Sequence, residues 1–197
     1  MDYSFPVINN ISDVLPCIEN RSEFVVVEKD YATIVNYVVC KSDTFDMLSK
    51  DDHCAKVRRE CRGIMFNHDG DIISRPFHKF FNIGERPETM PSVISLSRPH
   101  RLAVKLDGSM VRPFPTSSGI RWGTKMGITD IALDAEVFVA KNPRYTEFAQ
   151  WAIQNKLTPL FEWCSRGNRV VIDYSQESLT LLAVRDNTTG EYLDVRM

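Results

Sequence analysis

The chain has 197 residues, 24 basic against 26 acidic side chains for a formal net charge of −2, and 43% apolar residues. That is enough to fill one globular core or a compact pair, and the charged quarter of the chain excludes a disordered tail or a coiled coil. No apolar run approaches the roughly 18 residues of a membrane helix, and near-zero charge excludes polyanion binding by bulk positive potential. Any polyanion site must be local.

In chain order, the opening stretch Met1 to Val14 lacks the basic start and long apolar core of a secretory signal, which predicts a cytoplasmic location, host cytoplasm for a viral protein. The five cysteines (Cys17, Cys40, Cys54, Cys61, Cys164) are odd in number and scattered, without Cys-x-x-Cys or zinc spacing. They read as reduced, mostly buried thiols. The histidines at 53, 68, 78 and 100 read as surface imidazoles.

Valine- and isoleucine-rich runs at Glu23–Val27 and Thr33–Cys40 predict two neighbouring strands. Cys61–Phe66 and Asp71–Arg75 flank Asn67-His68-Asp69-Gly70, whose Asp-Gly step predicts a hairpin. Residues 86–101, with three prolines, read as a surface connection. Further strands are expected at Leu102–Lys105, Met110–Phe114, Ile120–Thr124, Leu160–Trp163, Val170–Asp173, Leu179–Arg185 and Glu191–Asp194. Helices are expected at Asp130–Ala140 and at Thr146–Asn155, the second capped by Thr146 after a break at Asn142-Pro143. Consecutive strands with short connections favour an antiparallel α+β architecture over a doubly wound parallel sheet, organised as a single domain over 1–197.

Four segments concentrate the chemistry. Lys105-Leu106-Asp107-Gly108-Ser109 follows the apolar Leu102-Ala103-Val104, which predicts a lysine at the end of a buried strand before a tight turn. An exposed lysine is protonated and inert at neutral pH, whereas burial, neighbouring cations or a metal ion can make it an amine nucleophile. An ordinary strand end with an Asp-Gly turn accounts for the same residues. Arg59-Glu60-Cys61-Arg62 precedes the apolar Gly63-Ile64-Met65-Phe66. Arg62 is suited to phosphate oxygens, with a solvated edge-strand ion pair from Glu60 to Arg59 or Arg62 as the alternative.

Arg75-Pro76-Phe77-His78-Lys79-Phe80-Phe81-Asn82 crowds three phenylalanines around two cations. It would place Lys79 on a phosphate and a ring near a base, or else plug the core. In Pro159-Leu160-Phe161-Glu162-Trp163 a single carboxylate lies in an aromatic strand and needs a donor partner unless it faces outward. A pair of ribose hydroxyls would supply one.

Together these segments resemble the RNA ligase 1 family of T-even phages. The resemblance rests on Glu60-Cys61-Arg62-Gly63-Ile64-Met65-Phe66, on Ser74-Arg75-Pro76 with Lys79-Phe80-Phe81-Asn82, and on Lys-x-Asp-Gly-Ser at 105–109. It continues through Phe161-Glu162 with Asn168-Arg169-Val170-Val171, and Leu181-Leu182-Ala183-Val184-Arg185 with Thr189-Gly190-Glu191-Tyr192. These motifs cover roughly residues 30 to 194 in the family's order.

The resemblance implies an antiparallel-sheet nucleotidyltransferase (adenylyltransferase) domain of the ATP-grasp-like covalent ligase type. Its activity would be ATP- and Mg²⁺-dependent joining of 5′-phosphate and 3′-hydroxyl RNA ends through a lysine-AMP intermediate, with RNA or tRNA repair as its setting. By the same resemblance Lys105 is the nucleophile, Arg62 and Lys79 contact phosphates, Glu162 holds the ribose, and Tyr37 and Lys125 belong to the nucleotide pocket. The metal-binding residues are left unassigned.

The chain departs from the family at its end. A second glutamate motif and a closing lysine-x-lysine motif should follow the segment ending Asp194-Val195-Arg196-Met197. Glu136-Val137-Phe138-Val139-Ala140 superficially resembles the former, but it lies in a helical stretch before Glu162 and is rejected. The sequence therefore reads as a carboxy-terminally incomplete module, with impaired adenylation unless a complementing chain supplies the missing motifs. The alternatives are a catalytically silent domain that binds ATP or RNA ends, and a DNA ligase or RNA-capping relative sharing Lys-x-Asp-Gly.

Overall fold

The computed structural model describes residues 3–49, 51–100 and 102–194. Two β-branched runs separated by Asp30-Tyr31 fold back as β1 (Phe24–Lys29) and β2 (Ala32–Tyr37), in register from Phe24 opposite Tyr37 to Lys29 opposite Ala32. β3 (Arg62–Phe66) pairs with β2, and the expected Asn67–Gly70 hairpin carries it into β4 (Ile72–Ser74), with Gly70 at φ +84°. These strands form an antiparallel sheet in the order β1-β2-β3-β4.

β5 (Ser109–Thr116), β6 (Gly119–Gly123), β7 (Leu157–Cys164) and β8 (Ser178–Asp186) form a second antiparallel sheet in the order β6-β5-β7-β8. Pro113 and Pro115 have no N–H to donate. The pairing of β5 with β7 runs from Ser109 to Val111, and from Arg112 onward β5 pairs with β6. The mixed α+β class with antiparallel sheets is as expected.

The helices cover the outer faces. α1 (Leu15–Ile18) and α2 (His53–Glu60) share a core with Phe24, Val35, Ile64 and Phe66 of the first sheet. α2 was not foreseen: its amphipathic stretch is short and charged, and Asp52 starts it by accepting the Ala55 N–H at 2.9 Å. α3 (Asp130–Ala140) begins and ends where predicted. α4 (Pro143–Gln154) starts at Pro143 rather than after a Thr146 cap, because proline suits the first helical turn, where its missing N–H costs nothing. Both pack on Val111, Phe161 and Trp163 of the second sheet.

Strand alternation then leaves Arg112, Thr158, Leu160, Glu162 and Arg185 on the opposite face, toward the first sheet. There Phe114 packs on Ile34 and Met65.

A buried charge cluster joins the sheets. Glu60, at the end of α2, is fully buried and is not the expected edge-strand pair with Arg59 or Arg62. Arg185 donates to both its oxygens at 2.9 and 3.1 Å, and Arg75 Nε donates at 3.2 Å. The remaining guanidinium donors reach carbonyls: Arg75 to Pro6, Asn187 and Thr188, Arg185 to Pro76 and Gly190. Burial alone would raise the Glu60 carboxyl pKa, but Arg185 and Arg75 override it and hold the group below the usual carboxylate range.

Three further expectations are corrected. Cys17 and Cys54 form a disulfide across α1 and α2, because the packing of those helices brings them together. Of the free thiols, Cys61 and Cys164 are buried and Cys40 is exposed, so the five cysteines are not all reduced thiols. His78 is not a surface imidazole: it bonds the Tyr192 hydroxyl at 3.0 Å, and burial pushes its pKa down to about 4. Glu191–Asp194 contributes only a bridge from Tyr192 to Arg185, not a strand. Among the described residues no helix is long and apolar enough to cross a membrane.

Replacing Glu60 with glutamine leaves two buried guanidinium groups without their counter-charge. Urea unfolding should show a loss of about 3–5 kcal/mol; a loss under about 1 kcal/mol would contradict the role given to the cluster.

His78 predicts a pH dependence. The unfolded imidazole takes up a proton below about 6.5 while the folded one stays neutral down to about 4, so the unfolded state binds more protons over that window. Stability should fall as pH drops from about 6.5 to about 4. His78→Gln should flatten that limb of the unfolding midpoint against pH.

Candidate active site

The approach to Lys105 is not a strand. Leu102 and Val104 are 93% and 83% exposed, and Lys105 is exposed rather than at the end of a buried strand. The chain leaves the surface connection, which is largely exposed as predicted up to its last described residue, His100, and joins a ladder only at Ser109, opposite Trp163. Before that point the apolar side chains have no neighbouring strand to lie against. Val170–Asp173 is likewise a loop, with Val170 and Val171 exposed.

The segment from Asp107 to Ser109 is nevertheless fixed, one residue at a time. Asp107 Oδ2 accepts the N–H groups of Val171 and Ile172, both at 2.6 Å, and the Asp107 N–H donates to Tyr174 Oη at 3.0 Å. Gly108 N–H donates to Glu162 Oε1 at 3.0 Å, and Ser109 Oγ donates to Asn168 Oδ1 at 3.0 Å. A Cβ on Gly108 would lie 2.2 Å from the Trp163 carbonyl oxygen, so the turn reaches β7 only with glycine there. These contacts give the Asp-Gly-Ser triplet a structural reason beyond an ordinary turn.

The Lys105 charge is felt by two carboxylates. The Ile172 and Val171 N–H groups hold Asp107 below the usual carboxylate range, and Lys105 adds to the effect. Burial raises the pKa of half-buried Glu162, a rise opposed by the Gly108 N–H and Lys105. Glu162 thus has the donor partner its setting demanded, and only Oε1 is spent on it.

A second group forms where β2 and β3 meet the turn after β6. The Tyr37 N–H donates to the Cys61 carbonyl, and Asn36 lies opposite Arg62. Between them Gly63 adopts φ +91°, and a Cβ there would come within 2.6 Å of the Lys125 carbonyl oxygen. Only glycine meets both demands, and its use lets the Thr124–Gly127 turn rest on β3. The Lys125 ammonium then lies 5.6 Å from the centre of the Tyr37 ring.

The Arg62 guanidinium stacks over Phe80 at 5.1 Å, and the Lys79 ammonium over Phe81 at 4.8 Å. Of the Phe77–Phe81 stretch, Phe81 packs against the core, as the core-plug reading expects, while Phe80 stays 57% exposed beneath the Arg62 guanidinium. Among the described residues, Lys105, Arg62, Lys79 and Lys125 make no ion pair with an acid.

Arg112 relates the two groups. Fully buried on the inter-sheet face of β5, it donates to Ser74 Oγ at 2.7 Å, to the Thr124 carbonyl at 2.9 Å, and to the Gly63 carbonyl. It fixes the neighbours of Arg62 and Lys125 to the strand whose Met110 faces Glu162. Burial pushes its pKa down to about 9. Neither Arg112 nor Asn36 was singled out in the sequence. The available signal was a lone polar side chain inside each apolar strand.

Glu136, in α3, accepts from Arg121 at 2.8 Å and from the Trp122 N–H at 2.7 Å, in keeping with its rejection as a glutamate motif. Among the described residues no cluster of three or more histidine, cysteine or carboxylate side chains is placed to hold a metal.

Residues 60–197 match the family model described as RNA ligase. The chain is 34% identical over 178 residues to a protein named "Putative RNA ligase" from Thermovibrio ammonificans, a match covering 89% of this chain and 44% of that protein. It is 28% identical over 149 residues to RNA ligase 1 of bacteriophage TS2126, covering 68% of this chain and 36% of the relative. The chain thus spans less than half the length of the curated relatives it matches.

Asp107→Asn tests the clip that holds the turn. Removing the carboxylate charge weakens two charge-assisted bonds at once. Hydrogen exchange at the Val171 and Ile172 amides should accelerate while exchange in α3 is unchanged; equal protection in variant and wild type would show that the clip does not hold the loop.

Proposed function

The chain belongs to the RNA ligase family, and on that premise we propose that it is the nucleotidyltransferase domain, over 1–197, of an ATP-dependent RNA ligase. It would join 5′-phosphate to 3′-hydroxyl ends, with repair of broken RNA, tRNA included, as its role. The observation that carries this reading is the clipped Asp107-Gly108-Ser109 turn, which bonds the chain just after Lys105 to Glu162, while among the described residues Arg62, Lys79 and Lys125 make no ion pair with an acid. Phosphoryl-type transfer asks a protein mainly to position reactants and neutralise charge, and that set of groups answers both needs.

In the first step the neutral Lys105 amine attacks the α-phosphorus of ATP. A P–N bond forms, the bond to the bridging oxygen of pyrophosphate breaks with its electron pair, and the amine proton is lost to solvent. Arg62 and Lys79 meet the phosphate oxygens, with Lys125 and the Tyr37 ring completing the nucleotide pocket. The free Oε2 of Glu162 accepts from the ribose hydroxyls. The RNA 5′-phosphate oxygen then attacks the same phosphorus and releases the lysine, and the 3′-hydroxyl attacks the activated 5′-phosphate, releasing AMP. A magnesium ion would enter with ATP, held chiefly by its phosphates, as Mg²⁺ commonly is. The residues offer no all-protein cage for it, and no step is drawn through it.

Incubation with α-labelled ATP and Mg²⁺, followed by denaturing electrophoresis, should give a labelled band that Lys105→Ala abolishes. Retained ATP binding without label would instead favour a silent nucleotide-binding domain. Label from GTP alone would point to capping chemistry.

A further inference from the structure

A polar side chain next to the candidate site has unused hydrogen-bonding capacity. Asn36 is 3% exposed on β2, and its Oδ1 is buried without a hydrogen-bond partner. Its Nδ2 donates to the Met126 thioether at 3.2 Å, so the carboxamide lies under the Thr124–Gly127 turn. Its neighbours are the proposed site itself: Arg62 is its partner across the ladder, Tyr37 follows it in the chain, and Lys125 precedes Met126. A buried acceptor without a donor costs free energy in the free protein, and such a group is explained when a ligand supplies the missing donor. Met126 is half exposed, so the carboxamide lies one side chain below the surface.

We infer that Asn36 determines base specificity by accepting a hydrogen bond at Oδ1 from the 6-amino group of adenine. This rests on the nucleotide reading of the site given above. The orientation of the amide decides the selectivity. An asparagine free to rotate by 180° presents either a donor or an acceptor, and so would accommodate a 6-amino or a 6-oxo purine alike. Here the thioether, a weak acceptor only, holds Nδ2 and leaves Oδ1 as the free group. A 6-oxo purine would set its carbonyl oxygen against Oδ1, leaving two buried acceptors face to face. Sites built around such a bond reject analogues that cannot make it far more strongly than sites relying on shape.

The test is equilibrium binding of ATP and of inosine triphosphate, which replaces the 6-amino group with an oxygen, to the full chain. Wild type should prefer ATP by about tenfold or more, the ratio expected for one unsatisfied buried polar group. Asn36→Leu should bring the two affinities within about twofold of each other, chiefly by weakening ATP. Met126→Leu alters a half-exposed residue, removes the thioether, and should narrow the preference by freeing the amide to turn.

An unchanged ratio in both variants would overturn the assignment, as would equal binding of the two nucleotides by wild type. Failure of wild type to bind either nucleotide would instead overturn the nucleotide reading and this inference with it. Should Asn36→Leu fail to fold, Met126→Leu decides alone.

Discussion

Everything on the inter-sheet face depends on one buried carboxylate. Glu60 ends α2, Arg75 follows β4, and Arg185 lies near the end of β8, so a single ionic cluster ties together three segments that are distant in the chain. The Arg185 guanidinium lies over the Phe5 ring at 4.9 Å and the Tyr192 ring at 4.7 Å. Such a cluster adds little net stability over an apolar substitute of the same shape, since three ionised groups had to be stripped of water to form it. What it supplies is alignment, because its many directional bonds are satisfied only when both sheets and the amino-terminal strand of chain at Pro6 are in place.

That alignment reaches the candidate site through short stretches of chain. Arg62 lies two residues after Glu60, and Lys79 four residues after Arg75. The Lys79 N–H also donates to the Arg59 carbonyl at 2.6 Å, beside Glu60. Arg112 performs the same task from the other sheet, using only neutral oxygens, which is why burial acts on it without a carboxylate to oppose it. Among the described residues the cations of the candidate site make no ion pair with an acid, and several nearby acids are engaged elsewhere. Glu60 is held by Arg75 and Arg185, Asp107 by two amides, and Glu88 by Arg59 at 2.6 Å.

Residues with strong local signals were readable from the sequence. The Asn67–Gly70 hairpin, α3, the antiparallel pairing and the exposed 86–100 connection all follow from turn chemistry or periodicity. Lys105, Glu162 and Arg62 stood out because each is a charged group against an apolar run. The misread strands share one cause: apolar sequence alone does not reveal whether a partner strand is present. Leu102–Lys105 and Val170–Asp173 have strand composition, yet both are exposed loops, and only the second is held by the Asp107 carboxylate. The burial of Glu60 and the meeting of Cys17 with Cys54 arise from long-range packing, which no local window contains. Asn36 was legible only as a polar residue in a strand, because the lack of a partner for its oxygen depends on what packs around it.

The proposed reaction turns on one amine. Peptide mapping by mass spectrometry after prolonged incubation of the chain with ATP and Mg²⁺ tests it most directly. AMP should appear on the peptide containing Lys105 and on no other. AMP carried by Lys79 or Lys125 instead would contradict the assignment of the nucleophile, and full nucleotide occupancy with no modified peptide would contradict covalent transfer by this chain.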